Sequence, residues 1–204
     1  MEKILEGNSV QLVGNVLSEL EFSHKTYGEV FYILLLGILR KSGYEDNIRL
    51  MVSERLIWNM ELEPGCTVEV SGQIRTYNQE YEGRNKLNVV VFARDLQILD
   101  GPVPHENFVS LEGFVCKEPI RRTSPLGREI CDIMLAVNRM YNKSDYIPCI
   151  AWGRNAAYGG ELAVGSKLRI EGRIQSREYK KRDDEGNVSI KTAFEVSIVK
   201  IEDC

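Results

Sequence analysis

The sequence predicts an all-β protein made of two similar small barrels in tandem. The chain has 204 residues, enough for two domains of about 100 residues that each bury an adequate core. The run NSVQLVGNV at residues 8–16 returns as NFVSLEGFV at residues 107–115. At nearly the same spacing, VEVSGQI at residues 68–74 returns as LRIEGRI at residues 168–174. Matches held in register over most of each half indicate an internal duplication.

Each half is predicted to contain five strands and one short helix. In the second half, Val109 and Leu111 alternate with polar neighbours, the period-2 pattern of a half-buried strand. Gly172 lies where a barrel strand must bend, and a short helix is predicted at residues 154–162, between the third and fourth strands. This order is the layout of the OB fold, a five-stranded, partly open barrel. We therefore predict two tandem OB-fold barrels; a β-sandwich with an attached helix is the alternative.

The turn-rich run GPVPH at residues 101–105 separates the halves. The expected domains are residues 1–102 and residues 105–204. The net charge of −4 argues mildly against a nucleic-acid binder. However, residues 1–104 carry 10 basic and 15 acidic side chains, whereas the remainder carries 16 and 15 and has a net charge of +1. Local clusters of cations in the second half must therefore attract phosphates.

Several classes of protein are not expected. The N-terminus is too charged for a secretory signal, and no run approaches the roughly 18 to 20 apolar residues of a membrane span. Five scattered cysteines without a CxxC pair indicate reduced thiols and a cytoplasmic protein, not a zinc site. The two histidines, His24 and His105, lie in different halves without a nucleophile or metal partner nearby in sequence. We expect no enzyme activity, no cofactor and no metal; a metal-dependent nuclease is the enzymatic alternative.

Aromatic and basic residues share predicted strand faces in the second half. Tyr146 and Trp152 lie on one face of the third strand. Ile150 lies on the same face between them, so this face could also point into the core. Alternate residues of the fourth strand include three arginines, Arg169, Arg173 and Arg177, and this face ends in Tyr179. Each aromatic residue alone is more often a core residue. Together they favour a surface that binds single strands, because bases stack on aromatic rings while cations follow the phosphates.

Four runs of the second half resemble the bacterial single-stranded DNA-binding protein (SSB) family. EPIRR at 118–122 and LAVNR at 135–139 resemble its first two strands, YIPCIAWGR at 146–154 its third, and GSKLRIEGRIQSR at 165–177 its fourth. The family's stacking positions fall on Tyr141, Tyr146, Trp152 and Tyr179, and its basic positions on Arg122, Arg154, Lys143 and Arg177. With two cations from the strand patterns, the expected DNA-binding residues are Tyr141, Tyr146, Trp152, Tyr179, Arg122, Arg139, Lys143, Arg154, Arg173 and Arg177.

The resemblance implies that the chain binds and protects single-stranded DNA in replication, recombination or repair, with little sequence preference. It implies oligomers that present four barrels, which a homodimer would supply, and a nucleoid-associated bacterial protein. Family members usually continue into an acidic tail that recruits replication and repair proteins; this chain ends at IEDC, directly after the predicted fifth strand. We therefore do not expect recruitment through such a tail, and both a housekeeping and a specialised member of the family stay open as alternatives.

The first half is expected to contribute less to binding. The repeat spacing places Ser42, Asn47, Ser53 and Gln79 where the second half has its four stacking residues. Trp58 is expected in the core of the first barrel. Two alternatives stay open: a replication-restart scaffold resembling primosomal protein N that acts mainly through protein contacts, and RNA as the ligand, since stacking accepts either sugar.

Overall fold

The computed structural model describes residues 7–81, 83–182 and 185–204. In these ranges the first half contains β1 (Asn8–Val16), β2 (Glu21–Thr26), β3 (Glu29–Leu39), β4 (Glu45–Ser53), α1 (Glu54–Ile57), β5 (Thr67–Tyr81) and β6 (Arg84–Leu99). The second half contains β7 (Glu106–Val115), β8 (Ile120–Thr123), β9 (Glu129–Arg139), β10 (Lys143–Trp152), α2 (Arg154–Gly159), β11 (Lys167–Arg182) and β12 (Val188–Asp203). No helix in these ranges is long and apolar enough to cross a membrane.

The predicted all-β fold with two OB barrels is confirmed. Each half has the five predicted strands and a short additional edge strand, β2 or β8, which pairs with β3 or β9. α2 lies within the predicted helix at residues 154–162. Each barrel closes because its first strand pairs both with its long fourth strand, β5 or β11, and with β3 or β9.

A bulge lets the long strand of each barrel bend. The pairing register shifts between Glu171 and Gly172, as predicted for a bending strand, and at the equivalent Gly72 in the first barrel. A side chain at Gly172 would place its Cβ 2.1 Å from the Ser197 carbonyl oxygen, and one at Gly72 would lie 2.2 Å from the Phe92 carbonyl oxygen. Glycine is required at both bends because the neighbouring strand leaves no room for a side chain.

The two barrels form one continuous sheet. β1 pairs antiparallel with β7, with Asn8 opposite Leu111 and Val13 opposite Glu106. The strand order is β2-β3-β4-β6-β5-β1-β7-β11-β12-β10-β9-β8, so each strand of the first half mirrors its repeat in the second. The predicted boundary at residues 101–105 lies between β6 and β7. The duplication has therefore placed two barrels about an approximate two-fold axis within one chain.

Two fully buried aspartates join the barrels on opposite sides of this axis. Asp46 on β4 accepts a hydrogen bond from the N–H of Ser176 on β11 at 3.0 Å. Asp145 on β10 accepts one from the N–H of Thr76 on β5 at 2.7 Å. Each carboxylate belongs to one barrel and each donor to the other, so the contact is reciprocal.

Candidate nucleic-acid interface

Three of the four predicted stacking residues are exposed on the second barrel. Tyr141 lies in the turn between β9 and β10, where it is 87% exposed, and Tyr146 on β10 is 50% exposed. Tyr179 lies on the long β11–β12 hairpin and is 39% exposed. Stacking requires an accessible ring, and the exposure of these three side chains provides it.

The turn that carries Tyr141 has an uncommon backbone conformation. Arg139 pairs with Lys143 across the hairpin, and Tyr141 and Asn142 have φ angles of 64° and 54°. Non-glycine residues rarely adopt positive φ, and such positions cluster at functional sites. The turn holds the tyrosine ring away from the barrel surface, where a base can stack on it.

Trp152 is only partly exposed, and its indole is fixed. Its Nε1–H donates a hydrogen bond to the Ser197 hydroxyl oxygen on β12 at 3.1 Å. Ile150, on the same face of β10, is 2% exposed. The end of β10 near Trp152 is therefore more covered than the end near Tyr146, and the bound N–H sets the orientation of the ring.

Two of the predicted cations, both partly exposed, are paired with carboxylates. Arg122 on β8 donates two hydrogen bonds to Asp132 on β9, at 2.6 and 3.1 Å. This interaction raises the pKa of Arg122, mainly through the hydrogen bond to Asp132. Arg177 donates to Glu195 at 3.2 Å and lies 5.9 Å from the Tyr179 ring centre. Each guanidinium keeps further N–H donors that can contact a phosphate.

Lys143 and Arg154 are the predicted cations without such a partner. Both side chains are exposed, and neither makes a hydrogen bond or ion pair within the part of the chain that the structure describes. Lys143 follows the Tyr141 turn, and Arg154 begins α2, two residues after Trp152. An aromatic residue and an uncompensated cation therefore lie together at each end of β10.

Arg139 and Arg173 lie at the junction of the barrels instead of on the open face. Arg139 Nε is 3.7 Å from the buried Asp145 carboxylate. Burial lowers the pKa of Arg173, and the positive charge of Arg40 from the other barrel lowers it further. The continuous basic face expected along the fourth strand is also interrupted, because Arg169 pairs with Glu112 at 3.0 Å.

The first barrel contains an aromatic groove that the sequence did not reveal. The groove has a volume of about 1080 Å³. His24 on β2 stacks on Phe31 on β3, with ring centres 4.9 Å apart and planes 10° apart, and Phe31 lies 6.0 Å from Phe92 on β6. Phe22 and Tyr77 also line it. We shall call it the first-barrel groove.

The aromatic residues of this groove do not lie at the repeat counterparts of the second-barrel stacking residues. They lie at neighbouring positions of the sheet. Ser53, the repeat counterpart of Trp152, pairs with Phe31 across the strands. Phe92 pairs with Gln73, whereas Ser197 in the second barrel pairs with Arg173. In the second barrel, Trp152 supplies an aromatic ring at this place. In the first barrel, aromatic residues on adjacent strands supply it instead.

Trp58 is not a core residue, so that prediction was wrong. It follows the four-residue helix α1 and is 80% exposed, beside Glu54 and Arg55. The helix ends one residue earlier, at Ile57, which supplies the buried side chain instead. A helix this short buries only one or two side chains, and the phase of its buried face decides which.

No group of three or more His, Cys, Asp or Glu in the described ranges is placed to hold a metal ion. All five cysteines are free thiols. Cys131 and Cys149 are buried, and burial raises the pKa of each thiol.

Known proteins share both the fold and the second-barrel sequence. Residues 106–202 match the model of the Single-strand binding protein family. The chain is 34% identical over 84 residues to Single-stranded DNA-binding protein 2 of Listeria innocua, and 35% identical over 80 residues to Single-stranded DNA-binding protein A of Bacillus subtilis. These alignments cover 38% and 36% of this chain, and it spans about half of each relative, 53% and 46%.

The whole chain is similar to a solved two-barrel structure. The wild-type single-stranded DNA binding protein from Thermus aquaticus superposes with a TM-score of 0.75 and 24% identity, over 97% of this chain and 92% of that one. At that identity the similarity shows the fold. The chain is thus a tandem OB-fold protein whose second barrel has exposed aromatic and basic residues. Its second barrel, residues 106–202, carries a domain of the Single-strand binding protein family.

Proposed function

We propose that the second barrel binds single-stranded DNA with little sequence preference. The observation that carries the proposal is the exposure of Tyr141, Tyr146 and Tyr179 on the barrel that also presents the unpaired cations Lys143 and Arg154. Stacking accepts every base because every base has a π-face, and the cations contact the backbone. The names of the relatives from Listeria innocua and Bacillus subtilis describe the same ligand.

Each residue has a distinct role in this proposal. The three tyrosines stack on bases, and Trp152, oriented by Ser197, adds a less exposed ring surface. Lys143 and Arg154 neutralise phosphates directly, while Arg122 and Arg177 use the donors left over from their carboxylate partners. Arg139 and Arg173 are left out of this site because they lie at the junction of the barrels.

The test compares two exposed tyrosines in equivalent settings. Tyr141 and Tyr27 both lie in hairpin turns with positive φ, 64° and 47°, and Tyr27 is fully exposed on the first barrel. In fluorescence anisotropy with labelled oligo(dT) of about 10 nucleotides, within the range one OB fold covers, Tyr141→Ala should weaken binding by about 1–3 kcal/mol. Tyr27→Ala should bind like the wild-type protein. Equal loss in both variants, or competition by duplex DNA as strong as by oligo(dT), would contradict the proposal.

We also propose that the chain forms a homodimer presenting four barrels and acts in DNA replication, recombination or repair in the bacterial cytoplasm. The support is the resemblance of its second half to a family with that organisation. Sedimentation equilibrium at micromolar protein should give a mass near twice 23.3 kDa. A mass near the monomer value would refute the dimer and leave the DNA-binding proposal standing.

A further inference from the structure

One face of the Phe31 ring in the first-barrel groove is covered by the protein itself. His24 on β2 stacks on this ring, with ring centres 4.9 Å apart and planes 10° apart. Flat rings that lie nearly parallel and offset are also the arrangement in which a nucleobase stacks on an aromatic side chain. His24 therefore occupies the surface of Phe31 on which a base would stack.

The Phe31 ring lies outside the core of the first barrel. Its neighbours on β3, Tyr32 and Leu34, pack in the barrel core, whereas Phe31 forms a second buried cluster with Met51 and Val90. Although it points away from the core, Phe31 is only 8% exposed, and the imidazole of His24 lies on its ring. Removing this imidazole would expose an aromatic face without opening the barrel core.

The edge strand of the second barrel provides no such cover. The repeat places Thr123 at the position of His24. The aromatic residue nearby is Trp152 on β10, which pairs across the strands with Ile130, the counterpart of Phe31. The edge strand β8 has the sequence IRRT and contains neither an aromatic residue nor a histidine. A ring contributed by the edge strand is therefore specific to the first barrel.

The strand that carries His24 is held by few contacts. β2 is the terminal strand of the sheet and five of its six residues are exposed. Its pairing with β3 is irregular between Phe22 and His24. The imidazole is held by the stack on Phe31 and by a hydrogen bond between Nδ1 and the Ser23 hydroxyl at 3.0 Å. Segments with few buried contacts open locally at a small cost in free energy, so β2 can move the histidine while the barrel stays closed.

We propose that His24 is an autoinhibitory cap, which fills the stacking site on Phe31 and so weakens the binding of single-stranded DNA by the first barrel. The groove offers such a ligand a further ring, Phe92, 6.0 Å from Phe31, and Arg49 on its lining. A base reaches Phe31 only after the imidazole has left, so part of the stacking energy is offset by the lost contact between His24 and Phe31. This inference concerns the first barrel and goes beyond the function proposed for the second.

Two variants of His24 test the cap in the full chain. His24→Ala removes the covering ring, whereas His24→Phe keeps a ring on Phe31. Native mass spectrometry with oligo(dT) of about 8 nucleotides, within the range that one OB fold covers, measures the affinity of the first and of the second oligonucleotide per chain. In His24→Ala the second should bind about 2- to 12-fold more tightly than in the wild-type protein, the factor that one aromatic contact contributes. The first should bind equally in both. His24→Phe should behave like the wild-type protein.

A double variant shows whether the gain comes from Phe31. Leucine fills a similar volume without a flat ring, so His24→Ala combined with Phe31→Leu should bind the second oligonucleotide as weakly as the wild-type protein. A gain retained in the double variant would overturn the inference. An unchanged second step in His24→Ala would do the same, and a weaker one would show that His24 itself is a stacking surface. If the wild-type protein binds no oligonucleotide but His24→Ala binds one, the function proposed for the second barrel is refuted and the cap is supported.

Discussion

Replacing Asp145 by alanine should destabilise the protein far more than replacing a surface aspartate. Asp145 is fully buried at the barrel junction, where it accepts the Thr76 N–H at 2.7 Å and pairs with Arg75 at 3.1 Å. Its removal leaves a buried N–H without an acceptor, which costs about 1–3 kcal/mol. It also leaves Arg75 and Arg139 without a counter-charge, and breaking a buried pair costs about 3–5 kcal/mol.

The two penalties overlap because they share one carboxylate. Arg75 also keeps 22% of its side chain in contact with solvent, which lowers the cost of losing its partner. We therefore expect Asp145→Ala to lower the free energy of unfolding by about 3 kcal/mol, near the lower limit for a buried pair. Asp145→Asn keeps an acceptor for the Thr76 N–H and should lose less. Asp46→Ala should match Asp145→Ala, because Asp46 makes the same cross-barrel contact with Ser176.

Urea unfolding followed by far-UV circular dichroism measures these differences. The matched control is Asp132→Ala, which breaks a bidentate pair with Arg122 whose side chains are 37% and 42% exposed. Exposed pairs contribute about 0.2–1 kcal/mol. If Asp145→Ala loses no more stability than Asp132→Ala, the buried carboxylates do not hold the barrels together.

Two other predictions follow from the same contacts. In the free protein, iodide should quench the fluorescence of Trp58, which is 80% exposed, more than that of Trp152, whose indole is bound to Ser197. Oligo(dT) should quench the fluorescence of Trp152 only. Quenching by oligo(dT) that survives in Trp152→Phe would place the DNA elsewhere. Glu112 has a pKa lowered by its hydrogen bonds to Lys167 and Arg169, so its contribution to stability is present above the ordinary glutamate pKa and is lost as the pH falls through the lowered value. The midpoint of thermal unfolding of Glu112→Gln should therefore lie slightly below that of the wild-type protein at pH 7, and the difference should shrink as the pH falls below the ordinary glutamate pKa. A difference that stays constant with pH would show that charge is not the cause.

The strands of the two barrels were predictable because their signals are local. Alternating apolar residues mark β7, and the repeat transfers that pattern to β1, which pairs with the same partners in its own barrel. The edge strands β2 and β8 lack such a signal, since β8 is exposed at every position and β2 at all but one. A strand with no buried face has no period for a sequence to display.

The junction could not be predicted from the same patterns. Pairing of β1 with β7 joins residues about a hundred positions apart. The residue pattern of neither strand indicates that it pairs with a strand of the other barrel. Once the pairing exists, it brings Arg139 and Arg173 to the neighbouring barrel. The period-2 pattern correctly indicated that both side chains point away from the core of the second barrel. The pattern does not show whether such a side chain faces solvent or the surface of another barrel.

The first-barrel groove was missed because aligning the repeat compares equal positions. Its rings do not lie at the position of Ser53. They belong to Phe31, which pairs with Ser53 across the sheet, and to Phe92 on another strand. This displacement changes what the groove can offer. His24 covers one face of Phe31, so stacking surface remains mainly at the exposed rim, and Glu19 and Glu21 line the groove together with Arg49.

The first-barrel groove is lined by acidic as well as basic residues of its own barrel. A strand that stacked in the first-barrel groove would meet two carboxylates and few cations of that barrel's own, which carries more acidic than basic residues. Arg75 and Arg139 stand at its entrance, one from each barrel. If a DNA strand lay in this groove, its phosphates could reach Arg49 and Arg75 of the first barrel and Arg139 of the second. Residues 1–102 without the second barrel lack Arg139 and should therefore bind oligo(dT) more weakly than the whole chain does.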